Sequence, residues 1–369
     1  MVRSDRLASV RERLLQEACA GLLISKPEDV QSENLRYLTG FTGSTGYALL
    51  TADHARLLVD GRYVERAGQE APDFEIVAVD QHIHDALAAQ LKELRPDTLA
   101  FEAEHMTVKQ HADLQEAIQR QQISVPLHPV AGWIEAMRVA KDAAEIARLR
   151  RVVLLGDRVL EAVAATIRPG MTEREVAWKL EVGMREAGAE ALAFEVIVAA
   201  GPNGAMPHHR PSDRPIRAGE PIVIDMGARM DGYCSDLTRT VVPGQPDGRF
   251  WAIYQTVLRA QQACEAGLQA GMTGVQGDAL ARDVIAAAGY DDYFGHGTGH
   301  GVGLAVHEAP RLSKLASDDP LPEGSIVTVE PGIYLPGWGG VRIEDMVVVG
   351  DTGVEVLTTA HKRPVITLD

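Results

Sequence analysis

Residues 295–308 read GHGTGHGVGLAVHE: His296, His300 and His307 sit among five glycines, and Glu308 follows His307. Imidazoles can ligate a metal, move a proton or donate to a substrate oxygen. Glycine at this density weakens both helix and strand propensity. Taken alone, the stretch reads as a loop of three histidine ligands. Carboxylates elsewhere in the chain change that reading.

The segment PIVIDMGARMDGYCSDLTRT (221–240) reads as a β-hairpin turning at Met230-Asp231-Gly232. A Met230-Asp231 loop sets Asp225 opposite Asp236. An Asp231-Gly232 loop sets Asp236 opposite Gly227 and diagonal to Asp225. Both registers leave the two aspartates on one face, because strand side chains alternate. Opposed like charges destabilise a sheet, so they need either bulk water or a cation. For this hairpin alone, a hydrated face suffices. Two further acids favour the cation. SIVTVEPGIYL ends an apolar strand on Glu330, and VRIEDMVVVG places Glu344 in another. Arg342 shares the face of Glu344 and could hold its carboxylate. Four carboxylates and one imidazole form a hard, oxygen-rich set that suits Mn²⁺ or Co²⁺ and admits Zn²⁺ or Fe²⁺. Four negative charges balance two divalent cations. Such a pair, ~3.5–4 Å apart, generates hydroxide at neutral pH and polarises a carbonyl.

These residues must be carried by a chain of 369 residues, too long for one compact core, so two domains are expected. The first reads α/β: RLASVRERLLQEACAGLLIS as a helix entering a strand, GYALLTADHARLLVDGRY as two strands, HDALAAQLKEL as a helix. SVPLHPVAGW (124–133), with two prolines, reads as a connection, and a long helix is expected from about Ile134. The expected domains are 1–137 and 138–369. In the second, GMTEREVAWKLEVGMREAG (170–188) is echoed by GMTGVQGDALARDVIAAAG (271–289), each with a capping box. A duplication would place a site between two related halves.

Net charge is −16, which disfavours nucleic-acid and anionic-membrane partners, since both need a basic face. Cys19, Cys234 and Cys264 are odd in number and widely spaced, so no disulfide framework is expected and a reducing cytoplasm fits. No stretch resembles a signal peptide or a membrane span. HExxH, Walker and GxSxG motifs are absent, and the glycines of 295–303 do not form GxGxxG.

In order, Asp225, Asp236, His300, Glu330 and Glu344, within VIDMGARMDGYCSDLTRT, HGTGHGVGLAVHE, TVEPGIY and VRIEDMV, resemble the pita-bread metallopeptidases of the creatinase, prolidase and aminopeptidase P group. YLTGFTGSTG and LLVDGRY resemble that group's N-terminal domain, a domain methionine aminopeptidase usually lacks. The resemblance implies an α/β N-terminal domain and an α+β pita-bread catalytic domain with pseudo-twofold halves. It implies that Asp225 chelates one metal, Asp236 and Glu344 bridge two, and His300 and Glu330 bind the second. His307 then faces the scissile carbonyl, and His208 and His296 are non-ligand histidines of the substrate edge. Tyr334 and Arg342 support the site, while His209 stays a loop residue. The implied activity is hydrolysis of an N-terminal Xaa-Pro bond. Hydroxide attacks, His307 donates to the oxyanion, and Glu330 passes a proton to the proline nitrogen. The length and FTGSTG favour an aminopeptidase. A dipeptidase, with Arg311 binding the product carboxylate, is the alternative, and a non-catalytic binding module on the same fold is a third reading. Relatives of this kind are commonly homodimers.

Overall fold

In the computed structural model, which describes residues 3–28, 30, 32–80 and 82–368, the chain divides into two compact units, Met1–Arg138 and Val139–Asp369. The first is α/β. Its six-stranded sheet runs in the order Glu75–Val79, Ala55–Asp60, Gly46–Thr51, Gly21–Lys26, Leu99–Glu102, Leu127–Val130. The expected hairpin 46–60 forms, with Leu50 opposite Ala55. Leu23, Leu49 and Leu58 of the sheet pack with Leu87 and Leu91 of helix Ile83–Leu94 and Leu114 and Ile118 of helix Val108–Arg120.

Two expectations for this region are corrected. Leu127–Val130 is a strand, not a plain connection, and pairs in parallel with Leu99–Glu102. It lies at the sheet edge, where Pro129 need not donate to a further strand. The long helix from Ile134 is two helices, Trp133–Val139 and Ala143–Ala164. Asp142 separates them. Its side chain accepts from the Ala144 and Glu145 amides, while Glu145 reaches back to the Asp142 amide, a capping box that starts a helix afresh.

The second unit is built twice over. Helices Ala143–Ala164 and Glu173–Glu186 pack together beside a four-stranded sheet ordered Val365–Ile366, Leu237–Pro243, Ile222–Met226, Ile197–Ala200. Helices Gly248–Gly267 and Gly274–Ala287 pack beside a five-stranded sheet ordered Glu308–Leu312, Gly299–Gly301, Ile326–Val329, Asp345–Gly350, Gly353–Val356. The echo is structural. Thr172 and Thr273 each close a capping box, with Glu175 and Gln276. Gly170 donates to the Ile216 carbonyl and Ile216 to that of Met171, at 2.9 and 2.8 Å. Gly271 and Leu321 repeat this, through Met272, at the same two distances. From there the halves stay in step: Pro215, Ile216, Gly219, Asp225 and Gly227 are each followed 105 residues later by Pro320, Leu321, Gly324, Glu330 and Gly332. The second unit is thus the expected pita-bread fold, and its pseudo-symmetry relates Asp225 to Glu330.

Around the second half, Phe250, Ile253, Val257, Ile285, Val327, Val329, Ile333, Val341 and Val347 form a dry core. Its strands therefore hold rigidly whatever polar groups project from their ends.

Candidate metal centre and active site

The hairpin settles on the second of its two registers. Leu237 lies opposite Met226, Thr238 opposite Asp225, and Arg229 opposite Cys234. The two-residue loop is Asp231-Gly232, both at positive φ (51° and 86°), which matches the twist of a tight hairpin. Carried through, this register sets Asp236 opposite Gly227 and diagonal to Asp225.

Three of the four acids sit where strands break, and the fourth lies near a strand end. Asp225 is next to last in Ile222–Met226. Asp236 falls between Tyr233–Cys234 and Leu237–Pro243, Glu330 between Ile326–Val329 and Gly332–Leu335, and Glu344 between Gly339–Arg342 and Asp345–Gly350. The strand before Glu330 ends there as expected, whereas Glu344 was expected within a continuous strand. At each of these two residues the chain passes from one sheet to another. One carboxylate oxygen each of Asp225, Asp236 and Glu344 lies within 4.8 Å of the others. His300, in strand Gly299–Gly301, brings Nε2 within 3.3 Å of Glu330 and 3.6 Å of Asp236. The structure therefore gathers all five expected ligands.

Arg342 departs from expectation. Its guanidinium binds Asp225 Oδ2 at 2.6 Å, the Thr238 hydroxyl at 3.0 Å and the Tyr334 hydroxyl at 2.7 Å. Glu344 receives its hydrogen bond from Thr238 Oγ1, at 2.7 Å. The i,i+2 pairing fails because the chain turns between the two residues at the strand joint. The partner lies instead in the other half of the unit.

The remaining histidines divide by surroundings. His296 places Nε2 2.8 Å from the Tyr334 hydroxyl and Nδ1 2.8 Å from its neighbour's carbonyl, so both ring nitrogens are engaged. His307 is exposed and sets its ring edge-on to that of His300, with centroids 4.4 Å apart. Loss of hydration holds His307 below the usual histidine range, with His300 adding to the effect. His208 is exposed and close enough to contribute to the lowered values of both His296, where burial dominates, and His307. His209 is more than loop: it bonds Glu173 at 2.9 Å. Arg311, exposed, lies opposite His300 across the sheet.

The glycines of 295–308 serve packing. A Cβ on Gly299 would run into the Thr328 carbonyl, on Gly301 into the Ala309 carbonyl, on Gly303 into the Glu308 carboxylate; Gly295 has open space. The short strand Gly299–Gly301 is threaded between neighbours, and the crowding on Gly299 and Gly301 comes from adjacent backbone rather than from the acids Asp225, Asp236, Glu330 and Glu344.

Electrostatics point to an added cation. Burial pushes Asp236 and Glu344 well above the usual carboxylate range, and their acidic neighbours push them further. Burial also raises Asp225 despite Arg342, and its Oδ1 is buried without a hydrogen-bond partner among the described residues. Glu330 is also buried but is held down at about 2 by His300. One arginine cannot balance this set. An orphan carboxylate oxygen amid oxygen-rich donors with one imidazole is what divalent cations satisfy.

A second acid–histidine group, Glu102, His105 and Glu135, lies in the first unit. Asn34 Nδ2 donates to Oε1 of both glutamates, His105 bonds Glu135, and Arg138 donates to Asn34 Oδ1. It is tied together by its own hydrogen bonds.

Sequence reasoning missed Thr238, Thr328 and Glu173. Thr328 donates to Glu330 at 3.0 Å and accepts from the His300 amide. Both threonines stand on a ligand strand, Thr328 two residues before Glu330 and Thr238 two after Asp236, so strand alternation could have flagged them. Glu173 carried no such signal.

Paired α+β halves with their acids gathered between them, downstream of a separate α/β unit, define a two-domain pita-bread hydrolase. Residues 147–351 match the Metallopeptidase family M24 and residues 6–140 the Creatinase/Prolidase N-terminal domain. The chain belongs to metallopeptidase family M24. It is 40% identical over 361 residues to the uncharacterized peptidase YqhT of Bacillus subtilis, covering 98% of this chain and 99% of that one. Among solved structures it resembles an Xaa-Pro dipeptidase from Bacillus anthracis (TM-score 0.93, 39% identity, 99% of this chain and 100% of that one). It also resembles an X-Pro aminopeptidase from Thermotoga maritima (TM-score 0.90, 36% identity, 98% and 100%). Among the described residues, no helix is long and apolar enough to cross a membrane.

Proposed function

We propose that this chain is a metal-dependent exopeptidase that hydrolyses the bond between an N-terminal residue and a following proline. The gathering of Asp225, Asp236, His300, Glu330 and Glu344 carries the reading, supported by relatives named for Xaa-Pro substrates. Asp225, Asp236 and Glu344 with His300 and Glu330 would hold two divalent cations, Mn²⁺ fitting the donor set best. Bound there, they supply Lewis acidity that lowers the pKa of water and polarises a carbonyl.

The chain's own residues do the rest. Glu330, ionised at neutral pH, accepts a proton from the attacking water and passes it to the proline nitrogen, which must be protonated to leave. His307, exposed beside His300, donates to the oxygen that gains charge. Arg342 holds Asp225 in place, and Tyr334 orients His296 at the substrate edge. The substrate amine docks by Asp225. The test is turnover of an Xaa-Pro-Yaa tripeptide by protein stripped of metal and restored with Mn²⁺. No hydrolysis after restoration, with metal bound, refutes the reading.

Aminopeptidase action on longer peptides is the first form of this proposal. A dipeptidase is the second, favoured by Arg311, exposed opposite His300 and available for a substrate carboxylate, and by the names of several relatives. Comparing an Xaa-Pro dipeptide with the tripeptide separates them. Turnover of the dipeptide alone selects the dipeptidase.

A further inference from the structure

The first turn of helix Glu173–Glu186 carries a glutamate with no exposure at all. Five donors converge on its carboxylate. Oε1 accepts from the Ala200 amide at 2.8 Å and the Asn203 side chain at 2.9 Å. Oε2 accepts from His209 Nε2 at 2.9 Å and from Ser212 through both its amide, at 3.0 Å, and its hydroxyl, at 2.6 Å. Burial would raise this acid, yet the donors, Ser212 foremost, hold it below the usual range, so it stays charged. The five donors span residues 200–212, the whole segment that carries His208. His208 itself makes none of these bonds.

The other half of the unit repeats the device. Asp278, on helix Gly274–Ala287, accepts from the Thr298 amide and hydroxyl, both at 2.9 Å, and pairs with Arg282. Arg282 in turn donates to the carbonyls of Phe294, at 2.9 Å, and His296, at 2.6 Å. Asp278 is 1% exposed. In the echoed segments Asp278 corresponds to Ala177, four residues after Glu173 and on the same helical face. Each half thus plants one buried carboxylate under the loop that bears a non-ligand histidine.

We propose that Glu173 is a positioning residue for catalysis, acting through His208: it fixes the 200–212 loop so that the exposed imidazole meets the substrate at a set place, as Asp278 does for His296. The inference rests on the proposed function and on the substrate-edge role that the family resemblance implies for His208. None of the five donors to Glu173 belongs to a ligand residue, so metal binding is separable from the effect of Glu173. Misplacement of a reacting group by an ångström costs about 10²-fold in rate, whereas a structural defect alone would not depend on which side chain stands at 208.

The test is a double-mutant cycle in Mn²⁺-loaded protein with an Xaa-Pro-Yaa tripeptide, or an Xaa-Pro dipeptide if only that is turned over. The variants are Glu173→Gln, His208→Ala and both together. Gln places a donor among donors while keeping the shape. Glu173→Gln is expected to lower kcat about 10–100-fold with KM changed less than about threefold. Bound metal per chain should be unchanged. With His208→Ala present, it should cost less than about twofold more, because both act through one group. In metal-free protein, amide exchange of residues 203–212 should quicken while that of 222–226 does not. Losses that multiply in the double variant, or unchanged exchange, overturn the inference. If His208→Ala alone leaves turnover unchanged, the role given to His208 falls and takes catalytic positioning with it. Should Glu173→Gln not fold, Ser212→Ala removes one residue from the cradle and the same cycle applies, with the same two outcomes.

Discussion

Arg342 grips Asp225, not Glu344, across 117 residues of sequence, with 2.6 Å between guanidinium nitrogen and carboxylate oxygen. The arginine is 3% exposed and fans out to Thr238 and Tyr334 as well. Breaking such a pair leaves a buried charge uncompensated, at a cost of about 3–5 kcal/mol. Arg342→Met should lower the thermal midpoint of the metal-free protein by roughly 6–20 °C and turnover by at least tenfold on reconstitution. Arg342→Lys should recover part of the stability but little of the rate, since an ammonium cannot serve three partners in a plane. A lysine variant with full activity contradicts the positioning given to Arg342.

Glu330→Gln should abolish hydrolysis while the fold, read by circular dichroism and melting, stays intact. Removing a general acid/base typically costs about 10²–10⁴-fold. The deciding observation is the rate of a variant shown by elemental analysis to carry metal. A near-normal value would end the role assigned to this glutamate.

Chelation should act on stability as well as rate. The acids at the strand joints repel one another, and cations binding only the folded chain stabilise it by mass action. Stripped protein should melt lower, and titrated Mn²⁺ should raise the midpoint continuously. Asp236→Asn should raise the metal-free midpoint, because burial and neighbouring acids disfavour the aspartate charge, and should weaken the metal response. A metal-independent melt would contradict the binding proposal.

The first unit should lose stability as pH rises through neutrality. Burial pushes Glu102 up to about 7 from 4.5, so between those values the unfolded chain ionises first and the folded state loses ground. His105, raised by its bond to Glu135, contributes stability that is complete below 6.5 and fades above it. Glu135, held at about 2 by His105 and Asn34 despite burial, works the other way, and its contribution fades below 4.5. Glu102→Gln, a neutral isostere, should shrink the drop in midpoint between pH 5 and pH 8. An unchanged drop would assign the pH dependence to other groups.

Gly299→Ala should destabilise the protein by about 1–3 kcal/mol through overpacking against Thr328. Gly295→Ala, in open space, should be neutral. Equal melting of the two variants would show that the glycines are not there for clearance.

The acids of the proposed ligand set were legible because each interrupts an apolar run, a signal carried within a few residues. The helix starts were legible for the same reason, since Thr172 and Thr273 announce themselves through a partner three residues on. The hairpin narrowed to two registers, and the positive φ of Asp231 and Gly232 selected one. Partner choice was not legible. Arg342 has an acid two residues away and another 117 away, and only the break at the strand joint decides between them. Glu173 looked like an ordinary first-turn acid. Its donors at 200–212 lie 27 to 39 residues off, in a loop whose path no local pattern specifies. The break between helices at Asp142 was visible as a capping box but was masked by the apolar continuity around it.

The two halves of the second unit each hold part of the proposed ligand set: Asp225 and Asp236 in one, His300, Glu330 and Glu344 in the other. On the proposed function, peptide hydrolysis is therefore conditional on synthesis having passed Glu344. A ribosome that has released only the first half has made two stranded aspartates and no peptidase. The last glutamate arrives about a hundred residues later, and even then closure must wait for contacts of long sequence separation, the slowest kind to form. A protease assembled this way stays inert for as long as it is itself an unfolded peptide.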